Sequence, residues 1–127
     1  MGMSIAQAFA DKLYDVTVYD IAEKSIEHGK KLLALNQEAL IASGKSTPQH
    51  SKEVVEHISF TTDINDAKDT DFVTESVVER LEIKHDFWGK LSQVVDEDIL
   101  LTTNTSGLSI TAIAEVVKCP ERFVGMH

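Results

Sequence analysis

A histidine, a serine and an asparagine stand near one end of this sequence in a pattern that can move a proton. His127 closes the run Pro120-Glu121-Arg122-Phe123-Val124-Gly125-Met126-His127, and Asn104-Thr105-Ser106 lies upstream of it. Imidazole is the usual general base near neutral pH. Asn and Ser side chains can hold a carboxamide or a substrate oxygen. The same residues also admit plain readings: a surface histidine at a chain end, and an ordinary Asn-Thr-Ser-Gly turn. A third set, Glu75, Glu79 and Lys84, either lines a ligand or forms the solvated start of an acidic helix.

Nucleotide chemistry is suggested at the other end. Met1-Gly2-Met3-Ser4-Ile5-Ala6 looks like the tail of a glycine-rich phosphate-binding turn, with Gly2 as its last glycine. Asp20 lies 18 residues after Gly2, near the ~20-residue spacing of a ribose-binding acid. An acid there favours NAD over NADP, because a 2′-phosphate would meet negative charge. Asp20 with Glu23 also fits a helix capping box. Cys119, beside Pro120, reads as an unreactive loop residue with no base or cationic cluster near it in sequence.

The elements that must position these groups follow from periodicity and punctuation. Helices are expected over residues 1–12, 22–42 and 81–95, with a helical turn at 63–69 and a helix from the Ser109 cap to about Val117. In the long second helix Ile26, Leu32, Leu33, Leu40 and Ile41 are the expected core contacts. Short β-rich runs fall at 16–19, 58–61, 72–75, 99–102 and 123–126, and 43–52 reads as a turn-rich loop containing Gly44 and Pro48. Strands alternating with helices imply an α/β fold with a parallel sheet covered on both faces. Ligands sit beyond the carboxyl ends of such strands. Asp20, Glu75 to Glu79, Asn104 to Ser106 and His127 all follow strands, so they are expected at one edge.

Bulk properties narrow the partners. The 127 residues fit one domain, and 43% are apolar, enough for a packed core. The net charge of −9 disfavours nonspecific nucleic-acid binding. One cysteine excludes an intrachain disulfide and a thiolate zinc cluster, and no metal site is expected. No apolar run approaches the ~20 residues of a membrane helix, and no signal peptide is evident. A cytoplasmic protein is the expectation.

Together these blocks resemble the NAD-binding domain of the 3-hydroxyacyl-CoA dehydrogenases, including bacterial 3-hydroxybutyryl-CoA dehydrogenases. The resemblance covers essentially the whole chain. It rests on Met-Gly with Ile5-Ala6-Gln7, on Val16-Thr17-Val18-Tyr19-Asp20, and on Glu75-Ser76-Val77-Val78-Glu79 with Lys84. The Asn104-Thr105-Ser106 loop and the Pro120 to His127 ending complete it and are its most specific part. It implies a Rossmann-type doubly wound sheet. Gly2 would belong to the phosphate-binding turn and Asp20 would bind the adenosine ribose. Glu79, Lys84 and Asn104 would lie along the cofactor, and Ser106 would sit between nicotinamide and substrate. His127 would take the proton of the 3-hydroxyl of an L-3-hydroxyacyl-CoA while C3 gives hydride to NAD, leaving 3-oxoacyl-CoA. Asn36 and Lys45 lie where family members contact CoA. The family has glycine in the turn before its second strand, where this chain has Leu13. If the backbone keeps a left-handed shape there, leucine costs on the order of 1–2 kcal/mol.

Against that pattern the sequence is expected to be truncated at both ends. It would lack the first strand with its first two glycines, the glutamate that orients the histidine, and the helical C-terminal domain that makes the homodimer. In the order 3-2-1-4-5-6 the first strand is central, and its loss would open a gap of roughly 9–10 Å between neighbours. The chain alone is therefore expected to be marginally stable, to bind NAD poorly and to be inactive. The alternatives are a non-catalytic Rossmann fragment serving as a binding or structural module, or another NAD-dependent hydroxyacid dehydrogenase.

Overall fold

The computed structural model describes residues 2–127. Met1, where the first expected helix and the glycine remnant begin, lies outside the described residues. The chain divides into two compact units, residues 1–63 and 64–127.

The first unit holds α1 (Gly2–Asp11), β1 (Val16–Tyr19), α2 (Glu23–Ala42), α3 (Pro48–Glu56) and β2 (Ile58–Thr61). β1 and β2 pair in parallel, Val16 opposite Ile58 and Tyr19 opposite Thr61. On α2 the buried positions are Ile26, Gly29, Leu33 and Gln37, a stripe of helical period. Leu32, Leu40 and Ile41 are only half-buried. Gly29 carries no side chain where Met3 Sδ of α1 approaches to 3.4 Å of the Cβ it lacks. The buried amide of Gln37 donates to Gln7 Oε1 at 2.9 Å and accepts from Ser51 Oγ at 2.9 Å, so it ties α1, α2 and α3. Met3, Ala6, Ala10, Leu33, Val54 and Ile58 form the apolar core.

Two local features bear on the sequence reading. The expected loop over 43–52 is cut short, because α3 already begins at Pro48. Thr47 accepts the His50 amide at 3.1 Å, and proline stands at the first helical position, where it sacrifices no intrahelical bond. The residues read as turn punctuation are a helix start. Leu13 does adopt the left-handed conformation, with φ 64°. Leu13 N donates to Ala10 O and Tyr14 N to Phe9 O, and the Phe9 and Tyr14 rings meet edge to face at 6.1 Å. This is a Schellman ending with its hydrophobic contact, built on a residue that pays the steric cost of a Cβ.

The second unit holds a 3₁₀ turn (Ile64–Ala67), β3 (Phe72–Glu75), α4 (Leu81–Val94), β4 (Leu100–Thr103), α5 (Ile110–Ala114), a 3₁₀ turn (Pro120–Arg122) and β5 (Phe123–Gly125). The parallel order is β3-β4-β5, with Glu75 opposite Thr103 and Thr103 opposite Gly125. Trp88 is fully buried at the centre of a core with Leu91, Leu101, Ile113 and Phe123, and its ring meets Phe123 edge to face at 4.9 Å. Arg122, 8% exposed, is a structural cation. Its guanidinium donates to the carbonyls of Ser92, Asp96 and Lys118, which joins the end of α4 to the turn before β5.

The strand neighbours are those that the doubly wound order 3-2-1-4-5-6 gives to its strands 2 and 3, and to its strands 4, 5 and 6. The fold is a Rossmann-type α/β fold with its parallel strands in two sheets. Among the described residues no helix is long and apolar enough to cross a membrane.

Candidate functional site

In the second unit the sheet itself brings the polar groups together. Beyond the paired strand ends the ladder continues for one step on each side: Asn104 N donates to Glu75 O, and Met126 N to Thr103 O, both at 2.9 Å. Asn104 and His127 therefore leave the sheet side by side. His127 Nδ1 lies 3.4 Å from Asn104 Oδ1. With the amide oxygen as acceptor, Nδ1 holds the ring proton and Nε2 keeps its lone pair. The backbone that delivers His127 is packed by α5. A Cβ on Gly125 would fall 2.3 Å from Ile110 Cδ1, so glycine is what lets Ile110 sit against β5. Ser109, as expected, caps α5 by accepting the Ala112 amide at 3.2 Å, but the helix stops at Ala114.

The Asn104-Thr105-Ser106 loop is held by a carboxylate. Glu79 Oε1 accepts from the Thr105 hydroxyl, and Glu79 Oε2 accepts the Ser106 amide at 3.2 Å. Thr105 Oγ1 in turn accepts the Leu108 amide at 3.2 Å. These two donors, with the Lys84 charge behind them, hold the Glu79 carboxyl below its ordinary value although it is largely exposed. The Ser106 side chain is exposed, and its hydroxyl takes no hydrogen bond among the described residues.

Glu75 and Lys84 are not the solvated helix start that their charges suggest. Both are buried, at 2% and 1% exposure. β3 ends by pointing Glu75 under α4, where Lys84 and Trp88, four residues apart, share a face. Glu75 Oε1 accepts from Trp88 Nε1 and Thr103 Oγ1, each at 2.9 Å. Its Oε2 accepts from Lys84 Nζ at 2.5 Å and from the Val77 amide at 3.0 Å. Lys84 Nζ also donates to Val77 O at 3.2 Å and stands 3.9 Å from Glu79 Oε1. Glu79 alone of the three faces solvent. Thr103 and Trp88 belong to this constellation but were not among the sequence candidates, whereas Thr105 was named as part of the Asn104-Thr105-Ser106 loop. Thr103 carried a signal, since it shares the inward face of β4 with Leu101.

In the first unit Asp20 follows β1, and its backbone N donates to Thr61 O at 3.3 Å. It does not cap α2 with Glu23. The cap position is Ala22, and Asp20 Oδ1 accepts the Ala22 amide at 2.8 Å in a tight turn. Its other oxygen takes no hydrogen bond among the described residues. Gly2 opens α1, which has no acidic residue in its first turn, so the positive end of the helix is uncompensated. Cys119 is half-exposed with φ 57°, a left-handed conformation that nothing in the sequence signalled.

The family described as 3-hydroxyacyl-CoA dehydrogenase, NAD binding domain, matches residues 1–127. A 3-hydroxybutyryl-CoA dehydrogenase of Clostridioides difficile is 39% identical over 127 residues, covering 100% of this chain and 45% of its own length. The crystal structure of (S)-3-hydroxybutyryl-CoA dehydrogenase from Ralstonia eutropha is similar at a TM-score of 0.95 and 32% identity, over 100% of this chain and 45% of that one. That of 3-hydroxybutyryl-CoA dehydrogenase from Escherichia coli K12 gives 0.94 and 35%, over 100% and 27%. The chain thus spans less than half the length of these relatives. It belongs to the NAD-binding domain family of the 3-hydroxyacyl-CoA dehydrogenases, a family whose cofactor is NAD.

Proposed function

We propose that residues 1–127 act as one NAD-binding domain in an enzyme that oxidises the 3-hydroxyl of an L-3-hydroxyacyl-CoA. The observation that carries this reading is the His127–Asn104 pair at the end of β5 and β4, beside the loop that Glu79 holds. The residues present fit the cofactor. Asp20 keeps one carboxylate oxygen free for a ribose hydroxyl, and the acid-free start of α1 at Gly2 suits a pyrophosphate. In the second unit Asn104, Ser106 and Glu79 would face the nicotinamide end.

When bound, NAD supplies the hydride acceptor. His127 then acts through Nε2, taking the hydroxyl proton of the substrate as C3 is oxidised. Asn104 holds the ring in the tautomer that leaves Nε2 basic. Ser106, with its hydroxyl unclaimed, orients the substrate oxygen. The imidazolium formed on proton transfer has no carboxylate in contact among the described residues. For that reason the 127-residue chain alone is proposed to turn over negligibly; weak NAD binding is a separate proposal, resting on Gly2 being the one glycine at the described start of α1. Acyl chain and CoA recognition, and any homodimer, are proposed for a protein of the relatives' length.

Calorimetric titration of NAD into the chain tests the weak-binding part, which a micromolar dissociation constant would overturn. NADH absorbance with 3-hydroxybutyryl-CoA tests the rest in the longest protein that contains these residues. His127→Ala should lower turnover by about 10²–10⁴-fold, and turnover unchanged in that variant would sink the assignment of the base.

A further inference from the structure

We infer that Ile110, the first residue of α5, is a positioning residue for His127: its δ-methyl lies on the bare α-carbon of Gly125 and braces the strand end that carries the imidazole to Asn104. The inference deepens the reading of His127 as the base and rests on it.

α5 is a fixed support. Ile113 is fully buried in the Trp88 core, and Ile110, three residues earlier, shares its face of the helix. Ser109 caps the first turn through its side chain, and its carbonyl accepts the Ile113 amide at 3.1 Å. His85 Nε2 of α4 donates to Ala112 O at 2.6 Å, which ties the same turn to the neighbouring helix. On β5 Phe123 belongs to that core, and strand alternation puts Gly125 on the same side. Gly125 has no left-handed φ, unlike Gly44, so its missing side chain supplies space and not backbone freedom. Ile110 takes that space. A Cβ at position 125 would stand 3.4 Å from Ile110 Cγ1 and well inside contact distance of Ile110 Cδ1. Ile110 is 40% exposed, so it adds little to the core itself. Its contact is with the strand two residues before His127.

The strand end needs a brace because its ties are few. After Gly125, the bond from the Met126 amide to Thr103 O is the one backbone hydrogen bond that joins it to β4 among the described residues. The His127–Asn104 contact, at 3.4 Å, is long for a hydrogen bond, and a small outward displacement breaks it. A support on the α5 side of the strand therefore decides whether Nδ1 keeps its acceptor.

The test reads the His127 ring by ¹⁵N NMR in the cofactor-free 127-residue chain, so its failure sinks the brace alone, whereas the assignment of the base stands or falls on turnover in His127→Ala. Ile110→Ala removes both atoms that face Gly125. The Nδ1–H share of neutral His127 should fall to that of exposed His28, while Trp88 fluorescence stays native. Ile110→Val keeps a γ-carbon at that place and should retain more of the share than Ile110→Ala. Gly125→Ala has to drive the δ-methyl off the strand or lift the strand off α5, and it should lose the share in either case. A folded Ile110→Ala chain with the parental share would overturn the inference. If that variant does not fold, a nuclear Overhauser contact between the Ile110 δ-methyl and the Gly125 α-protons of the parent decides: its presence supports the brace and its absence overturns it.

Discussion

His127 Nδ1 and Asn104 Oδ1 lie 3.4 Å apart across 23 residues of sequence. The contact exists because β4 and β5 are parallel neighbours in register, with Thr103 opposite Gly125. It joins the two most specific blocks of the sequence into one geometry. Its consequence is tautomeric: an acceptor at Nδ1 leaves the basic lone pair on Nε2. Nitrogen NMR of neutral His127 should show the Nδ1–H form enriched over an exposed histidine such as His28. Asn104→Leu should abolish the enrichment. Identical tautomer ratios in both proteins would remove Asn104 from its orienting role.

Acid should loosen the Asn104–Ser106 loop. The Glu79 carboxyl is held below its ordinary value of 4.5 by the Thr105 hydroxyl first, then the Ser106 amide and the Lys84 charge. A carboxyl depressed on folding contributes stability that is present above its unfolded value and lost as pH falls through the lower folded one. The loss is thus expected below pH 4.5. Glu82 and Asp11 are depressed in the same direction, by backbone and Arg80 contacts and by His50 respectively, so the global acid limb mixes all three. Exchange at the Ser106 amide isolates the local effect. It should accelerate, beyond the intrinsic pH dependence, in the parent chain on acidification and follow only the intrinsic dependence in Glu79→Gln.

Leu13→Gly should stabilise the first unit. Leu13 is half exposed and sits at φ 64°, so glycine gives up little packing and removes the left-handed penalty. The gain is expected at about 1 kcal/mol after the added freedom of the unfolded chain is subtracted. Urea unfolding followed by far-ultraviolet circular dichroism measures it, and an unchanged or lower midpoint would mean the turn relaxes around leucine.

Arg122→Met should destabilise the second unit. The substitution keeps an apolar stem but leaves the Ser92, Asp96 and Lys118 carbonyls without their donors. A loss of about 3 kcal/mol is expected for removing a charged donor from buried acceptors. Trp88 is the only tryptophan and lies in the core of that unit. Its fluorescence in urea reports the change directly.

Much of this protein was readable as a string. Three of the strands, 16–19, 58–61 and 72–75, fall where the short β-rich runs predicted them, because β-branched and aromatic residues closely followed by Asp20, Asp63 and Ser76 leave few other choices. The spacing of Asn104-Thr105-Ser106 from Gly125-Met126-His127 named the family, and a family glycine pattern singled out Leu13 while leaving open a left-handed or a remodelled turn, of which the structure has the first. α3 was hidden because Pro48, Ser46 and Thr47 serve equally as turn residues and as a helix start, and only the hydrogen bond of Thr47 to His50 separates the two. The fates of Glu75 and Lys84 could not be read at all. A charge after a strand looks the same in sequence whether it meets water or a partner, and periodicity does not say what lies across from it. What decided their burial was the packing of α4 over the end of β3, which sets Trp88, Thr103 and an ammonium around one carboxylate. Sequence determined which residues stand at the strand ends. Tertiary structure decided which of them, Ser106 and His127, remain exposed and which, Glu75 and Lys84, are enclosed, because burial depends on neighbours distant in the chain.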